Sequence, residues 1–227
     1  MLFACLDLTS LSPDDTDEKI AALCQRAQRD SGHVAALCCY PQFLKTAQSV
    51  LPEGVALATV VNFPLGNAPL SQVLQQIDFA LKEGATEIDL VIPYQDVLMG
   101  DFVSSIEMVK SAKTYCGRYL LKVIIETGEL KNSDLIERLS LALLEAGADF
   151  IKTSTGKAPL GATVEAATAI LKALSAYQRQ RGLLKGLKVS GGVKTLEQAQ
   201  IFMDLAADFF GLSYLQPYTF RIGASSL

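Results

Sequence analysis

Short apolar runs alternate with longer amphipathic stretches along the whole chain, and this alternation restricts the fold more than any other feature. The apolar runs are continuous, which is typical of parallel strands that are buried on both faces. The predicted strands are Phe3–Leu6, Val34–Cys39, Ala56–Val61, Glu87–Ile92, Tyr119–Ile125, Phe150–Lys152, Leu187–Val189 and Asp208–Leu212. Strands that are separated by helices indicate a parallel sheet with helices packed against it.

The stretches between these runs have apolar residues at spacings of three and four, which indicates helices. The predicted helices are Asp17–Gln28, Phe43–Val50, Leu70–Lys82, Phe102–Lys113, Leu135–Glu145, Val164–Gln180 and Leu196–Leu205. Predicted N-caps are Thr16, Ser71, Asp101, Ser133, Thr163 and Thr195, and predicted helix stops are Gly84, Gly147 and Gly182. Eight strand–helix units without a linker predict an α/β fold, a single (β/α)8 TIM barrel over residues 1–227, rather than an open doubly wound sheet.

Composition excludes several classes of protein. The net charge of −4 argues against nucleic acid as the main partner, and no apolar run is long enough to predict a membrane span. The apolar start is interrupted by Asp7 and lacks a basic region, so it does not resemble a signal peptide. The five cysteines form no metal-binding or CxxC pattern, which favours reduced thiols in the cytoplasm. The single histidine, His33, excludes a His-rich metal site and argues against Ser-His-Asp chemistry.

Ionisable residues interrupt four consecutive predicted strands. They are Asp89, Lys122, Lys152 and Lys188. Lysine and aspartate are rarely buried unless they are paired or functional. Lys152 and Lys188 lie near the carboxyl ends of their strands, the face where barrel enzymes place their chemistry.

Two ammonium groups in a poorly solvated pocket lower each other's pKa, and burial adds to the effect. We therefore expect Lys152 to be partly neutral at pH 7 and able to attack a carbonyl. Asp89 is placed to hold the second lysine and to pass protons through a water molecule. The alternative is that both lysines reach the barrel mouth and form only structural ion pairs. Lys122 lies earlier in its strand, and either a supporting or a purely structural role fits it.

Three segments of small residues follow the last predicted strands. They are Ser154–Lys157, Ser190–Gly192 and Gly223–Ser226. TIM barrels often bind phosphate with the loops after their last strands, where glycine lets backbone N–H groups approach the anion. The predicted phosphate-binding residues are Lys157, Gly191, Gly192, Gly223, Ser225 and Ser226. Each segment alone is also compatible with an ordinary turn.

Five segments resemble one enzyme family, deoxyribose-phosphate aldolase. Asp149–Lys157 is similar to the Schiff-base signature of that family, and Leu121–Leu130 is similar to its fifth-strand segment. The other matching segments are Leu6–Leu11, Asn62–Asn67 and Phe220–Leu227. The resemblance covers nearly the whole chain in order, although only five residues precede Leu6 and the chain given stops at Leu227. We therefore expect a barrel with shortened N- and C-terminal segments.

The resemblance implies a class I aldolase that cleaves 2-deoxy-D-ribose 5-phosphate reversibly to acetaldehyde and D-glyceraldehyde 3-phosphate, in deoxyribose phosphate catabolism. Lys152 would form the Schiff base, Lys188 would lower its pKa, and Asp89 would relay protons. Asp7 would join the polar network, although a turn or cap role fits it equally. Thr155 would contact substrate or water, or close the turn before Gly156.

The same resemblance implies no cofactor and no metal, because the protonated imine is itself the electron sink. The expected partner is a small-molecule sugar phosphate, with neither nucleic acid nor membrane, and a homodimer or a higher homo-oligomer is left open. Two other functions compete with this interpretation. One is a Schiff-base aldolase with a larger donor, and the other is a sugar-phosphate-binding barrel without catalysis.

Overall fold

Eight parallel strands close into a barrel in the computed structural model, which describes residues 1–30 and 32–226. The strands are β1 Leu6–Thr9, β2 Ala36–Cys39, β3 Ala56–Val61, β4 Glu87–Val91, β5 Leu120–Ile124, β6 Phe150–Lys152, β7 Gly186–Ser190 and β8 Phe220–Ala224. Each strand pairs with its neighbours in chain order, and β8 pairs with β1, Leu6 opposite Ile222, to complete the ring. The predicted TIM barrel is therefore confirmed.

Helices between the strands cover the barrel. They are α1 Asp17–Gln25, α2 Leu44–Val50, α3 Leu70–Lys82, α4 Tyr94–Leu98, α5 Val103–Cys116, α6 Thr127–Leu130, α7 Ser133–Glu145, α8 Val164–Arg181 and α9 Leu196–Phe210. The predicted α3 agrees with the structure at both ends. A short antiparallel pair, Gln28–Arg29 with Gly32–His33, lies between α1 and β2, so His33 is on an exposed hairpin away from the barrel mouth. No helix among the described residues is long and apolar enough to cross a membrane.

The eighth strand is not where the sequence pattern predicted it. Asp208–Leu212 was the predicted strand, but most of it continues α9, which ends at Phe210. The helix continues because Phe202, Met203 and Ala206 are buried at helical spacing while Asp208 is exposed. The strand that closes the barrel is β8, ten residues downstream of α9. The predicted first strand, Phe3–Leu6, was also displaced, since residues 3–5 form a 3-10 turn before β1.

Half of the predicted N-caps are correct. The side chains of Thr16, Thr163 and Thr195 each accept a hydrogen bond from the first turn of their helix. The other three helices begin after Pro69, Phe102 and Asn132, so Ser71 and Ser133 are not N-caps. Asp101 lies one residue before the cap position of α5, but its Oδ1 accepts a hydrogen bond from the N–H of Val103, the first residue of that helix, at 2.7 Å. The predicted helix stops are confirmed: Gly84, Gly147 and Gly182 all follow a helix end with positive φ.

The barrel interior is divided between small and long side chains, and this division makes room for the site. Most of the apolar core lies between strands and helices. A separate buried cluster contains Leu11, Ala36, Cys38, Ala58 and Val60, mainly on β2 and β3. These short side chains leave space inside the barrel for the long basic side chains of β5 to β8. All five cysteines are free and buried.

Candidate active site

The parallel register brings the ionisable strand residues to similar levels inside the barrel. Asp89 on β4 lies opposite Lys122 on β5. Lys152, the last residue of β6, lies opposite Lys188 on β7. All four side chains are almost completely inaccessible to solvent. The residues that the sequence singled out in separate strands therefore meet in one buried volume.

The carboxylate of Asp89 joins the three lysines. Its Oδ2 atom lies 2.7 Å from Nζ of Lys152 and 2.7 Å from Nζ of Lys188. Its Oδ1 atom accepts a hydrogen bond from Nζ of Lys122 at 2.9 Å. Lys152 and Lys188 thus share one oxygen atom, which holds their two amino nitrogens close together and on the same side of the barrel.

Lys122 lies deeper than the other two lysines and has more anionic partners. Its Nζ atom is 2.6 Å from Glu87 Oε2 and 3.2 Å from Asp7 Oδ2, besides its contact with Asp89. Asp7 also lies 2.5 Å from Nζ of Lys188. Asp7 is therefore part of the buried ionic network and is neither a turn nor a helix-cap aspartate.

Two members of this network, Arg221 and Glu87, were missed by the sequence reasoning. Arg221 on β8 places Nη1 2.5 Å from Asp7 Oδ1 and Nη2 2.9 Å from Glu87 Oε1, and its guanidinium lies over the ring of Phe150. Arg221 was overlooked because the eighth strand was predicted too early in the chain. Glu87 was taken only as the start of a strand, although charge in a buried strand was the signal that identified Asp89.

The local electrostatics distinguish Lys152 from its neighbours. Burial lowers the pKa of Lys152, Lys188 lowers it further, and Asp89 opposes both. Burial alone would also lower the pKa of Lys188, but Asp7 and Asp89 raise it above the ordinary value. The pKa of Lys122 is raised well above its usual range against burial, by Asp7, Asp89 and Glu87. Lys152 has a single carboxylate partner, and this explains the difference in direction.

A cavity of about 400 Å³ opens above the network at the carboxyl ends of β1, β6, β7 and β8. Lys152 lies at its base, and Thr9 and Ser10 line the side formed by the loop after β1. Its remaining lining residues are Leu11, Ser12, Pro13, Thr155, Gly156, Lys157, Ser190, Gly191, Gly192, Val193, Lys194, Gly223, Ala224 and Ser225. Three lysines and no carboxylate residue occur among the described residues that line it, so the cavity suits an anion.

Most of the predicted phosphate-binding residues line this cavity. Gly191 and Gly192 have φ values of 83° and 88°, so glycine is required in this turn. Gly223 belongs to β8, and a Cβ there would lie 3.2 Å from Cε of Lys188, so its lack of a side chain also makes room for that lysine. Ser225 lines the cavity, whereas Ser226 is exposed and does not.

Two lysines flank the outer part of the cavity. Nζ of Lys157 donates to the carbonyl of Leu11 at 2.5 Å, which ties the loop after β6 to the loop after β1. Lys194, two residues after the Gly191–Gly192 turn, also lines the cavity and was missed by the sequence reasoning. A cation that directly follows a predicted anion-binding glycine turn could have identified it.

Thr155 has a buried carboxylate partner that the sequence reasoning also missed. Oγ1 of Thr155 donates to Oε2 of Glu126 at 2.5 Å, and its backbone N–H donates to the same carboxylate at 3.2 Å. Burial raises the pKa of Glu126, and the hydrogen bonds from Thr155 partly oppose this. The hydroxyl of Thr155 thus donates its proton to Glu126, and Thr155 is also one of the residues that line the cavity with Lys152.

A TIM barrel with a buried lysine of lowered pKa below a cationic cavity defines a class of enzymes that react with carbonyl compounds through an amine. The comparison with known families is more specific. Residues 1–220 match the model for DeoC/LacD family aldolase. The chain therefore belongs to this family of aldolases.

Solved structures support the same assignment. A protein from Toxoplasma gondii ME49, described as a candidate deoxyribose-phosphate aldolase, is 28% identical, with a TM-score of 0.89 over 98% of this chain and 88% of that one. The protein described as QR15, an aldolase, is 30% identical, with a TM-score of 0.83 over 99% and 91% of the two chains. The tetrameric deoxyribose phosphate aldolase from Aeropyrum pernix is 28% identical, with a TM-score of 0.77 over 99% and 87%.

Proposed function

We propose that this aldolase cleaves 2-deoxy-D-ribose 5-phosphate reversibly to acetaldehyde and D-glyceraldehyde 3-phosphate, through a Schiff base on Lys152. One observation carries the proposal. Lys152 shares an oxygen of Asp89 with Lys188, has a lowered pKa, and is the member of the buried network that lines the cavity. An uncharged amine at the base of an anion-compatible cavity is what attack on the aldehyde of a sugar phosphate requires.

The balance of charge in the network supports a neutral Lys152. The network contains four cationic side chains, Lys122, Lys152, Lys188 and Arg221. It contains three carboxylates, Asp7, Glu87 and Asp89. Burying a charge without an opposite partner in a protein interior costs roughly several kcal/mol of folding free energy. Loss of one proton from Lys152 makes this network neutral, and the residue with the fewest carboxylate partners loses its proton most easily.

The proposed cleavage uses the network in sequence. The amine of Lys152 attacks C1 of the open-chain aldehyde, and loss of water gives a protonated imine. The proton on the C3 hydroxyl is removed, the C2–C3 bond breaks, and its electron pair passes to the imine to form an enamine as glyceraldehyde 3-phosphate leaves. Protonation of the enamine carbon and hydrolysis by water release acetaldehyde and restore the amine. Asp89, which accepts hydrogen bonds from Lys122 and Lys188, would relay these protons through water.

The outer cavity is proposed to hold the phosphate. Backbone N–H groups of the Gly191–Gly192 turn and the charges of Lys157 and Lys194 would bind it, with Ser225 as a further donor. Gly223 supports the site indirectly, by admitting the side chain of Lys188. Ser226 is close in sequence but lies outside the cavity lining.

Reductive trapping tests the proposal. Acetaldehyde and borohydride should attach an ethyl group to Lys152, located by peptide mass, and Lys152→Met should lose both the label and cleavage. Lys172→Met changes an exposed lysine on α8 and serves as the matched control, with full labelling expected. Labelling spread over surface lysines, or none, would contradict the Schiff base and favour a binding barrel without catalysis. If a larger ketone donor labels Lys152 and acetaldehyde does not, the protein is instead a Schiff-base aldolase with a larger donor.

A further inference from the structure

Glu126 lies in a backbone conformation that side chains other than glycine seldom adopt. It follows β5 and precedes α6, with φ 51° and ψ 62°. In this left-handed region the Cβ atom lies too close to the following carbonyl oxygen, so the backbone of Glu126 is strained. Such strain persists where the surrounding structure requires it, and it is concentrated at functional sites.

The side chain of Glu126 is buried and has no cationic partner within ion-pair distance among the described residues. It is 1% exposed. Within the same part of the chain, the hydrogen bonds to its carboxylate all come from Thr155: the N–H at 3.2 and 3.4 Å and the hydroxyl at 2.5 Å. Burying a carboxylate without a cationic partner costs folding free energy. The carboxylate of Glu126 nevertheless accepts hydrogen bonds from a single residue of the cavity wall, Thr155.

These bonds fix the polarity of the Thr155 hydroxyl. A hydroxyl has one proton to donate and two lone pairs that accept. The proton goes to Glu126, and one lone pair accepts the backbone N–H of Lys157 at 3.0 Å. One lone pair has no donor among the described residues, and Thr155 lines the cavity. Toward a bound molecule, Thr155 can therefore act as an acceptor but not as a donor.

We propose that Glu126 is a positioning residue that holds Thr155 as a hydrogen-bond acceptor, and that Thr155 thereby selects substrates that carry a hydroxyl group next to the reacting carbon. The inference rests on the proposed function, because it concerns the aldehyde that the enamine on Lys152 attacks. A hydroxyl donates to the remaining lone pair. An aldehyde with hydrogen in that place leaves the lone pair unsatisfied, at a cost in the transition state.

A purely structural role for Glu126 is a weaker account, because the same loops are held together without it. The backbone N–H of Thr127 donates to the carbonyl of Thr153 at 2.9 Å, and the hydroxyls of Thr127 and Ser154 lie 3.4 Å apart. The loop after β6 would therefore remain attached to α6 if the carboxylate were replaced.

The test compares two phosphorylated aldehydes as partners for acetaldehyde. One is glyceraldehyde 3-phosphate, and the other is its analogue with hydrogen in place of the 2-hydroxyl. Wild type should prefer the first in kcat/KM. In Glu126→Gln the amide group can donate to Oγ1 and free the threonine proton for the cavity, so the preference should fall about tenfold. In Thr155→Val the preference for the 2-hydroxyl should fall by a similar factor, and in Thr155→Ser it should remain as in wild type.

Trapping with acetaldehyde alone separates this inference from the proposed function. Acetaldehyde has no hydroxyl, so Lys152 should still be labelled in Glu126→Gln. Circular dichroism spectra that match wild type show that Glu126→Gln and Thr155→Val fold. If Lys152 of wild type is not labelled, the proposed function fails. If wild type is labelled and Glu126→Gln keeps the wild-type preference for the hydroxyl, the positioning role of Glu126 is wrong.

Discussion

Two lysines of similar burial have opposite shifts in pKa, and the count of carboxylate partners explains the contrast. Lys188 contacts both Asp7 and Asp89, whereas Lys152 contacts Asp89 alone. Burial is the largest cause of the lowered pKa of Lys152, and the positive charge of Lys188 lowers this pKa further. The pairing of Asp7 with Lys188 thus keeps the second positive charge in place beside the proposed nucleophile.

Replacing Lys188 should make activity more sensitive to acid. Lys152 must be neutral to react, so activity is present above its pKa and lost as pH falls through it. Lys188→Met removes a neighbouring charge and leaves Asp89 free to stabilise the protonated form of Lys152. We expect the pKa of Lys152 to rise, because the lowering effect of the Lys188 charge is removed. The acid limb of the kcat/KM–pH profile should therefore move to higher pH.

Alkaline pH provides the internal control for this variant. If Lys188 acts through the pKa of Lys152, the activity of Lys188→Met should recover as pH rises, and Lys172→Met should keep the wild-type profile. An acid limb at the wild-type position with a uniformly lower rate would show instead that Lys188 acts elsewhere in the reaction.

The sequence identified individual charges and one of their pairings, that of Asp89 with Lys188, but not the rest of the network. Asp89, Lys122, Lys152 and Lys188 could be found because charge inside an apolar strand is conspicuous. Contacts between Asp7 and Arg221 could not be found, because they depend on which residues of β1 and β8 face inward after the ring closes. Glu126 carried no signal, since its role follows from a backbone conformation and from burial.

At the scale of elements, periodicity located six of the eight strands closely, placed the first one three residues early and misplaced the last one, and the error at the last one has a physical cause. The run from Asp208 to Leu212 is apolar enough for a strand, but packing of Phe202 and Ala206 extends the helix through it.

Helix caps could also be predicted only in part from residue type. A threonine or serine near a helix start is a correct cap only where the chain enters in an extended conformation, as it does at Thr195.

The caps of α9 and α3 offer a paired test. Thr195 closes a capping box with Gln198, so Thr195→Ala should lower the free energy of unfolding by about 1 kcal/mol. Ser71 resembles a cap in sequence but is an exposed residue inside α3, so Ser71→Ala should change it by less than about 0.5 kcal/mol. Urea unfolding followed by circular dichroism measures both. Equal losses in the two variants would contradict the cap assignments.

At the scale of the whole molecule, the ionic network crosses the barrel and connects its first and last strands. Arg221 on β8 binds Asp7 on β1, its neighbour, and Glu87 on β4, which lies across the interior. Lys188 on β7 binds the same Asp7. The position of Asp89 beside Lys152 therefore depends on complete closure of the barrel. Several residues that stabilise the fold also belong to the candidate active site.

Removal of the guanidinium should show how strongly the fold depends on these contacts. Arg221→Met keeps much of the side-chain volume but leaves Asp7 and Glu87 without their shared partner. Breaking a buried ion pair from one side costs about 3–5 kcal/mol, because the remaining charge stays buried. Arg181→Met breaks the exposed pair with Glu145, for which about 1 kcal/mol or less is expected. The difference between their urea midpoints at pH 7 measures the contribution of burial, and equal midpoints would show that the network contributes no more to stability than a surface pair.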